Sequence, residues 1–273
     1  MSFFTRLSNG WELAKTSFKV LMTNKKLIIF PVLSAMSVLL VLGSFGITIF
    51  ASAGWDTDNL NHYNRGTIYL FTFLFYIVNY FIIVFFNMSL MNCAKQYFDG
   101  EEVSVMKGLS FSMSRIGAIF AWAVFAGTVG MILRMLRQES GWIGRLLISF
   151  IGIAWSAAVF FVIPVIAYEQ VGPYEAMQRS IAIMKEKWGE GIGANFSIGL
   201  VSMLFIIPIV ILGMAISSFV NEAAGIVFFV GGIFAMLAVT SALHSIVVSA
   251  IYNQIKGGDS AGFDPQITDG LFQ

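Results

Sequence analysis

The stretch "VIPVIAYEQVGPYEAMQRSIAIMKEKWGEG", residues 162–191, starts at membrane-grade hydrophobicity and turns into a charged segment that keeps apolar residues at regular intervals. Tyr174, Met177, Ile181, Met184 and Trp188 are spaced 3, 4, 3, 4, which puts them on one stripe of a helix. Glu175, Gln178, Arg179, Lys185 and Glu186 fall mostly elsewhere around it. Pro173 suits a first helical position, and Gly189 and Gly191 mark an end. The segment reads as an amphipathic helix over 173–188 lying in the headgroup plane, with Trp188 at its border.

Two other segments are built the same way. Phe4, Leu7, Trp11, Ala14, Phe18 and Leu21 repeat at 3, 4, 3, 4, 3, with Arg6, Glu12, Lys15 and Lys19 between them, which predicts a helix over 3–22. After "DGEEVS", Met106, Leu109, Met113 and Ile116 repeat at 3, 4, 3 and predict a shorter helix over 104–115.

What these helices precede is set by composition. The 273 residues are 11% charged and 58% hydrophobic, against roughly 25% and about 45–50% for a soluble domain. Cutting the chain at its charges leaves six uncharged windows, 27–55, 66–94, 116–133, 146–168, 191–221 and 223–255. Each is close to or above the roughly 20 residues that a helix needs to cross the hydrocarbon core. Solid apolar runs exclude a β-barrel, whose strands alternate apolar and polar residues. The expected fold is an all-α integral membrane protein. Its six transmembrane helices, near 27–53, 67–94, 116–133, 146–168, 193–219 and 224–252, form three hairpins, each preceded by a cytoplasmic amphipathic interfacial helix. Residues 1–255 are expected to make one transmembrane domain, and 256–273, Gly-rich and acidic, a flexible cytoplasmic tail.

The first window is too long for a signal-peptide apolar region and is expected to remain as an anchor. Orientation follows the basic residues. Arg6, Lys15, Lys19, Lys25, Lys26, Lys95, Lys107, Arg115, Arg179, Lys185, Lys187 and Lys256 fall on the side shared by both ends of the chain, which makes both ends cytoplasmic. The exception is "RMLRQESGWIGR", which puts Arg134, Arg137 and Arg145 on the other side with Glu139 against them.

Several functions are excluded or weakened. A net charge of +1 gives no basic face for nucleic acid. One cysteine and two histidines argue against a disulfide and against a metal site. G-x-S-x-G, H-E-x-x-H, Walker A and G-x-G-x-x-G patterns do not occur, so neither an enzyme nor a cofactor is expected.

Ionisable residues at membrane depth suggest function by default. His244, in "VTSALHSIVVSAIYN", is essentially alone there, with Thr240, Ser241 and Ser245 on neighbouring helical positions and Ser249 continuing the Ser241 and Ser245 row. Such a row is either a polar track or a set of bonds across a helix bundle. Asn79, Asn87 and Asn92 in the second window admit the same two readings. Glu169 stands at the mouth of the fourth window, where it can cap the surface helix or pair with Arg179. Pro31, Pro164 and Pro208 can each kink a span. Ala123 with Gly127, Ala126 with Gly130, and Gly152 with Ser156 read as close-packing pairs.

The order "FFNMSLMNCAKQYFDGEEVSVMKGL" (85–109), "WAVFAGTVGMILRMLRQESGWIGR" (122–145) and "FFVIPVIAYEQVGPYEAMQRSIAIMKEKWGEGIGANFSIGL" (160–200) resembles a bacterial family of six-span membrane proteins, domain of unknown function 6159. The resemblance implies a bacterial inner-membrane location and this helix arrangement, and brings no catalytic or binding residues. The expected function is a non-enzymatic scaffold that organises partners or lipid, with Trp11, Trp188, Glu169 and Arg179 as interface or lipid-contact candidates. Its expected partners are membrane lipids and, beyond them, other membrane or cytoplasmic proteins. The alternative is a transporter or channel for a small or amphiphilic molecule, through a cavity between kinked spans lined by His244, Asn87 and Asn195.

Overall fold

The computed structural model describes residues 3–56, 64–186, 205–258, 260 and 263. Among them every regular element is a helix. The order is α1 (Phe3–Thr23), a 3-10 turn (Lys25–Ile28), α2 (Ile29–Ser52), α3 (Arg65–Phe98), α4 (Val105–Ser114), α5 (Ile116–Glu139), α6 (Trp142–Ala158), α7 (Val162–Glu169), α8 (Pro173–Glu186), α9 (Phe205–Phe219) and α10 (Glu222–Ile255).

Five stretches are long and apolar enough to cross a membrane: Lys25–Ser52, Gly66–Phe98, Ile116–Glu139, Trp142–Glu169 and Glu222–Ile255. The chain is therefore a membrane protein. Of the span expected over 193–219, the described part is α9, an apolar helix shorter than the other five. Residues 187–204 lie outside the described residues, and Trp188 and Asn195 with them.

The helices α3 and α10 have 34 residues each, about 51 Å at 1.5 Å per residue, against a hydrocarbon core of about 30 Å. At the end of α3 an interfacial charge does not stop the helix, because it has a partner one turn on. Lys95 donates to Asp99 at 2.6 Å, and Gln96 Nε2 donates to Asn92 Oδ1 at 2.8 Å, both at i,i+4 spacing.

Two prolines shape the other helices. Pro164 brings no N–H, and its ring crowds the carbonyl four residues back. The chain breaks immediately upstream, between α6 and α7, at Val159, Phe160 and Phe161. Pro31 likewise follows the 3-10 turn at Lys25–Ile28. The kinks expected at these two residues take this form.

Packing divides the chain into two compact units. The first comprises residues 1–32, 89–110 and 182–273. Its core joins Leu13, Ala14, Val20 and Leu21 of α1, Leu90, Met91, Cys93 and Ala94 of α3, and a run of buried residues on α10 from Ser245 to Tyr252. Here α1 packs along α10, and the Ser249 hydroxyl donates to the Met91 carbonyl at 3.3 Å, tying α10 to α3. Gly225 and Gly232 hold α10 close to α9, since a Cβ on them would stand 2.5 Å from Ser217 and 2.8 Å from Ile209. Two residues of the stretch expected as a tail from residue 256 are described and are packed against this core. Ser260 and Phe263 are buried, Ser260 donates to the Ala250 carbonyl at 3.1 Å, and the Phe263 ring meets Phe98 edge-on at 5.8 Å. An aromatic side chain with an apolar shelf to cover overrides the polar residues around it.

The second unit comprises residues 33–88 and 111–181. Ala123, Ala126 and Gly127 of α5 are buried, and a Cβ on Gly127 would lie 3.2 Å from Ile77 of α3. Trp122 of α5 stacks on Trp155 of α6 at 6.2 Å. The pair expected at Gly152 and Ser156 does not pack. A Cβ on Gly152 would meet nothing within 4 Å, and the Ser156 hydroxyl bonds back to the Gly152 carbonyl. Four-residue spacing of small residues is common in apolar helices and becomes a contact only where another backbone arrives.

Candidate functional site

The candidate site is the outer surface of α1, α4 and α8, and it depends on how these helices are seated. In the second unit, Ser112 of α4 is fully buried and donates to the Phe85 carbonyl of α3 at 3.0 Å. Ser180 of α8, also fully buried, accepts the Phe161 N–H at 3.0 Å. That N–H lies in the break caused by Pro164, where no helical carbonyl receives it, and a side-chain oxygen restores the bond. The hydroxyl of α8 therefore completes the backbone of the broken span.

In the first unit, Gly108 of α4 does the equivalent through backbone approach. A Cβ there would stand 2.6 Å from Cys93 Sγ and 2.8 Å from the Ser89 carbonyl of α3. On α1 the inward row is Leu13, Ser17 and Leu21. Ser17 is fully buried, and its hydroxyl has no hydrogen-bond partner among the described residues.

Bulky residues of all three helices also point outward. Trp11 of α1 is 51% exposed, Met106 of α4 73% and Tyr174 of α8 61%. Phe18 and Met22 continue the Trp11 row, and Met113 continues the Met106 row. Exposed Lys15 and Lys19 lie beside the α1 row, about 40° and 80° around the helix from Trp11 at 100° per residue. That places charged heads at the edge of an apolar face. The expected stripes are partly corrected. Ala14 and Leu21 of the first and Met184 of the third are buried in the protein, while Met177 and Ile181 are half-buried. Each helix packs one arc against the protein, and that arc is displaced from the line of largest residues.

Three of the charges around this surface are paired with carboxylates. Arg179 Nε donates to Glu169 Oε2 at 3.0 Å, which brings together the two residues singled out at the mouth of the fourth window. In the first unit, Lys26 pairs with Glu102 and Lys107 with Glu101, both at 3.6 Å, and Lys26 also reaches the Val103 carbonyl. Exposed pairs of this kind contribute about 0–1 kcal/mol and mainly fix the entry to α4. In the second unit, the Arg115 guanidinium lies over the Phe111 ring at 5.7 Å, and Phe111 contacts Tyr168.

His244 is half-buried on α10 between buried Leu243 and Ser245, and Asn87 is half-buried on α3. They belong to different compact units. Asn79 bonds within its own helix, to the Phe75 carbonyl at 2.7 Å. Sequence reasoning missed Gly108, Ser112 and Ser180. A legible signal did exist: Gly108 with Ser112 and Ala176 with Ser180 are small residues four apart, the spacing that marks close helix contact.

A model of the Family of unknown function (DUF6159) matches residues 66–263, from the start of α3 to Phe263. No curated protein matches the chain.

Proposed function

We propose that this chain, which belongs to the family of unknown function DUF6159, organises lipid at the cytoplasmic interface of a bacterial inner membrane and performs no catalysis. In this reading it crosses the membrane six times as three hairpins, with α9 the described part of the fifth crossing. Both ends are cytoplasmic, in keeping with the side on which most basic residues fall. One observation carries the proposal: Ser112 and Ser180 seat α4 and α8 by hydrogen bonds, and on α1, α4 and α8 large apolar side chains, Trp11, Phe18, Met106 and Tyr174 among them, face away from the protein. An apolar face bordered by lysines, held rigidly against a membrane protein, is suited to slow and order neighbouring lipid. Partner proteins are recruited through the same face.

The test is electron paramagnetic resonance of vesicles containing lipid spin-labelled near its carbonyl, which counts the lipids slowed by the protein. The double variant Phe18→Glu with Met22→Glu should slow fewer lipids than the wild type at equal helix content. An equal number in both would refute the proposal.

A further inference from the structure

We propose that the second unit carries a binding site for an anionic phospholipid, at the end of the bundle away from α4 and α8. The site does not depend on the amphipathic helices.

Its headgroup part is an arginine cluster. Arg134 and Arg137 near the end of α5 and Arg145 near the start of α6 line a cavity of about 420 Å³, completed by Gln138, and no acidic residue is among its lining. Among the described residues none of the three arginines is in an ion pair. Each is oriented by a neutral acceptor: Arg134 donates to the Tyr76 hydroxyl at 3.4 Å, Arg137 to the Ser149 hydroxyl at 3.2 Å and Arg145 to the Ser140 carbonyl at 3.1 Å. A guanidinium has five N–H donors in a fixed fork, so each keeps capacity for a phosphate.

Its acyl part is a cleft of about 430 Å³ between the end of α2 and the start of α3, lined mainly by apolar residues such as Phe45, Ile49, Phe71 and Phe75. Gly46 lies in this wall, and a Cβ on it would meet nothing within 4 Å. Arg134 lines both the cleft and the arginine cavity, and so joins them.

Depth agrees with this assignment. Arg134 is five residues from the end of α5, about 7.5 Å along the axis, within reach of the headgroups for a snorkelling arginine. Trp55, just beyond α2, and Trp142, the first residue of α6, are strongly exposed at this same end, as interfacial tryptophans are. A free phosphate ion would use the arginines and leave the cleft unexplained. A neutral lipid would use the cleft and leave three arginines unexplained. A phospholipid with net negative charge uses both.

The experiment is native mass spectrometry of the full chain released from detergent. Phosphatidylglycerol should be retained over phosphatidylcholine and over diacylglycerol by about tenfold or more, since each arginine beside an anionic headgroup is worth roughly a fivefold factor. Replacing all three arginines by glutamine should abolish the preference, and Gly46→Leu should weaken retention of every diacyl lipid by filling the cleft. Millimolar inorganic phosphate should displace nothing. Equal retention of the three lipids by the wild type, no loss on Gly46→Leu, or displacement by inorganic phosphate would each overturn the proposal. The wild-type comparison holds even if a variant fails to fold.

Discussion

Replacing Ser180 by Ala removes one oxygen and leaves the Phe161 N–H, 3.0 Å away in the wild type, with no acceptor at a fully buried position. A buried donor left without its bond loses about 1–3 kcal/mol. Two smaller effects act against this. Alanine is the better helix former by at most about 0.7 kcal/mol, and the partial opening of the chain at Pro164 lets the segment relax. The net expectation is a destabilisation of about 1–2 kcal/mol. Gln178→Ala supplies the control, because Gln178 is on the same helix but exposed and its replacement should stay within about 0.5 kcal/mol. The assay is equilibrium unfolding in mixed micelles, followed by circular dichroism. The denatured state should be unaffected, so the change should appear in the midpoint with the slope unchanged. Equal stability of Ser180→Ala and Gln178→Ala would refute the idea that α8 completes the broken span.

Three other substitutions test separate joints by the same unfolding measurement. Gly108→Val places carbon into the contact with Cys93 and the Ser89 carbonyl and should destabilise by about 1–3 kcal/mol, whereas Gly152→Ala, in open space, should stabilise by up to about 1 kcal/mol; the opposite order would contradict the packing described for α4 and α6. Phe263→Ala should cost about 3 kcal/mol by emptying its place against Phe98, and a loss under about 0.5 kcal/mol would show that residue 263 does not belong to the core. Arg179→Ala should cost at most about 1 kcal/mol, and less at high salt, because the arginine is 58% exposed although its partner Glu169 is 13% exposed; a salt-independent loss of several kcal/mol would mean that the pair is shielded from solvent.

The helices were legible because lipid enforces the rule that reveals them. Long apolar windows must be helical, and the 3, 4 spacing of Phe18 and Leu21 or of Met106 and Leu109 marks α1 and α4 as helices. Their orientation was less legible. The largest residues drew the stripes, whereas the inward faces were chosen by the smallest, Gly108, Ser112, Ala176 and Ser180, which allow one backbone to approach another. The extension of α3 beyond its apolar window was not legible from hydropathy, because it depends on Lys95 finding Asp99 one turn on. Phe263 was hidden in a polar setting, because one aromatic residue leaves no periodic trace. The arginines at 134, 137 and 145 were visible as an exception to the charge rule, but their convergence on one cavity depends on the meeting of α5 and α6, which no local pattern encodes.

The most direct test of the account is a depth scan along α1. Single cysteines at positions 11–23 are spin-labelled in a chain whose own Cys93, fully buried, is replaced by serine, and oxygen and nickel-chelate accessibilities are read in vesicles. The account predicts a depth that oscillates with the helical period, deepest at 11, 18 and 22 and shallowest at 12, 16 and 23, with strongly immobilised labels at 13, 17 and 20. A steady trend from one face of the bilayer to the other, or full access to water at 11, 18 and 22, would contradict it.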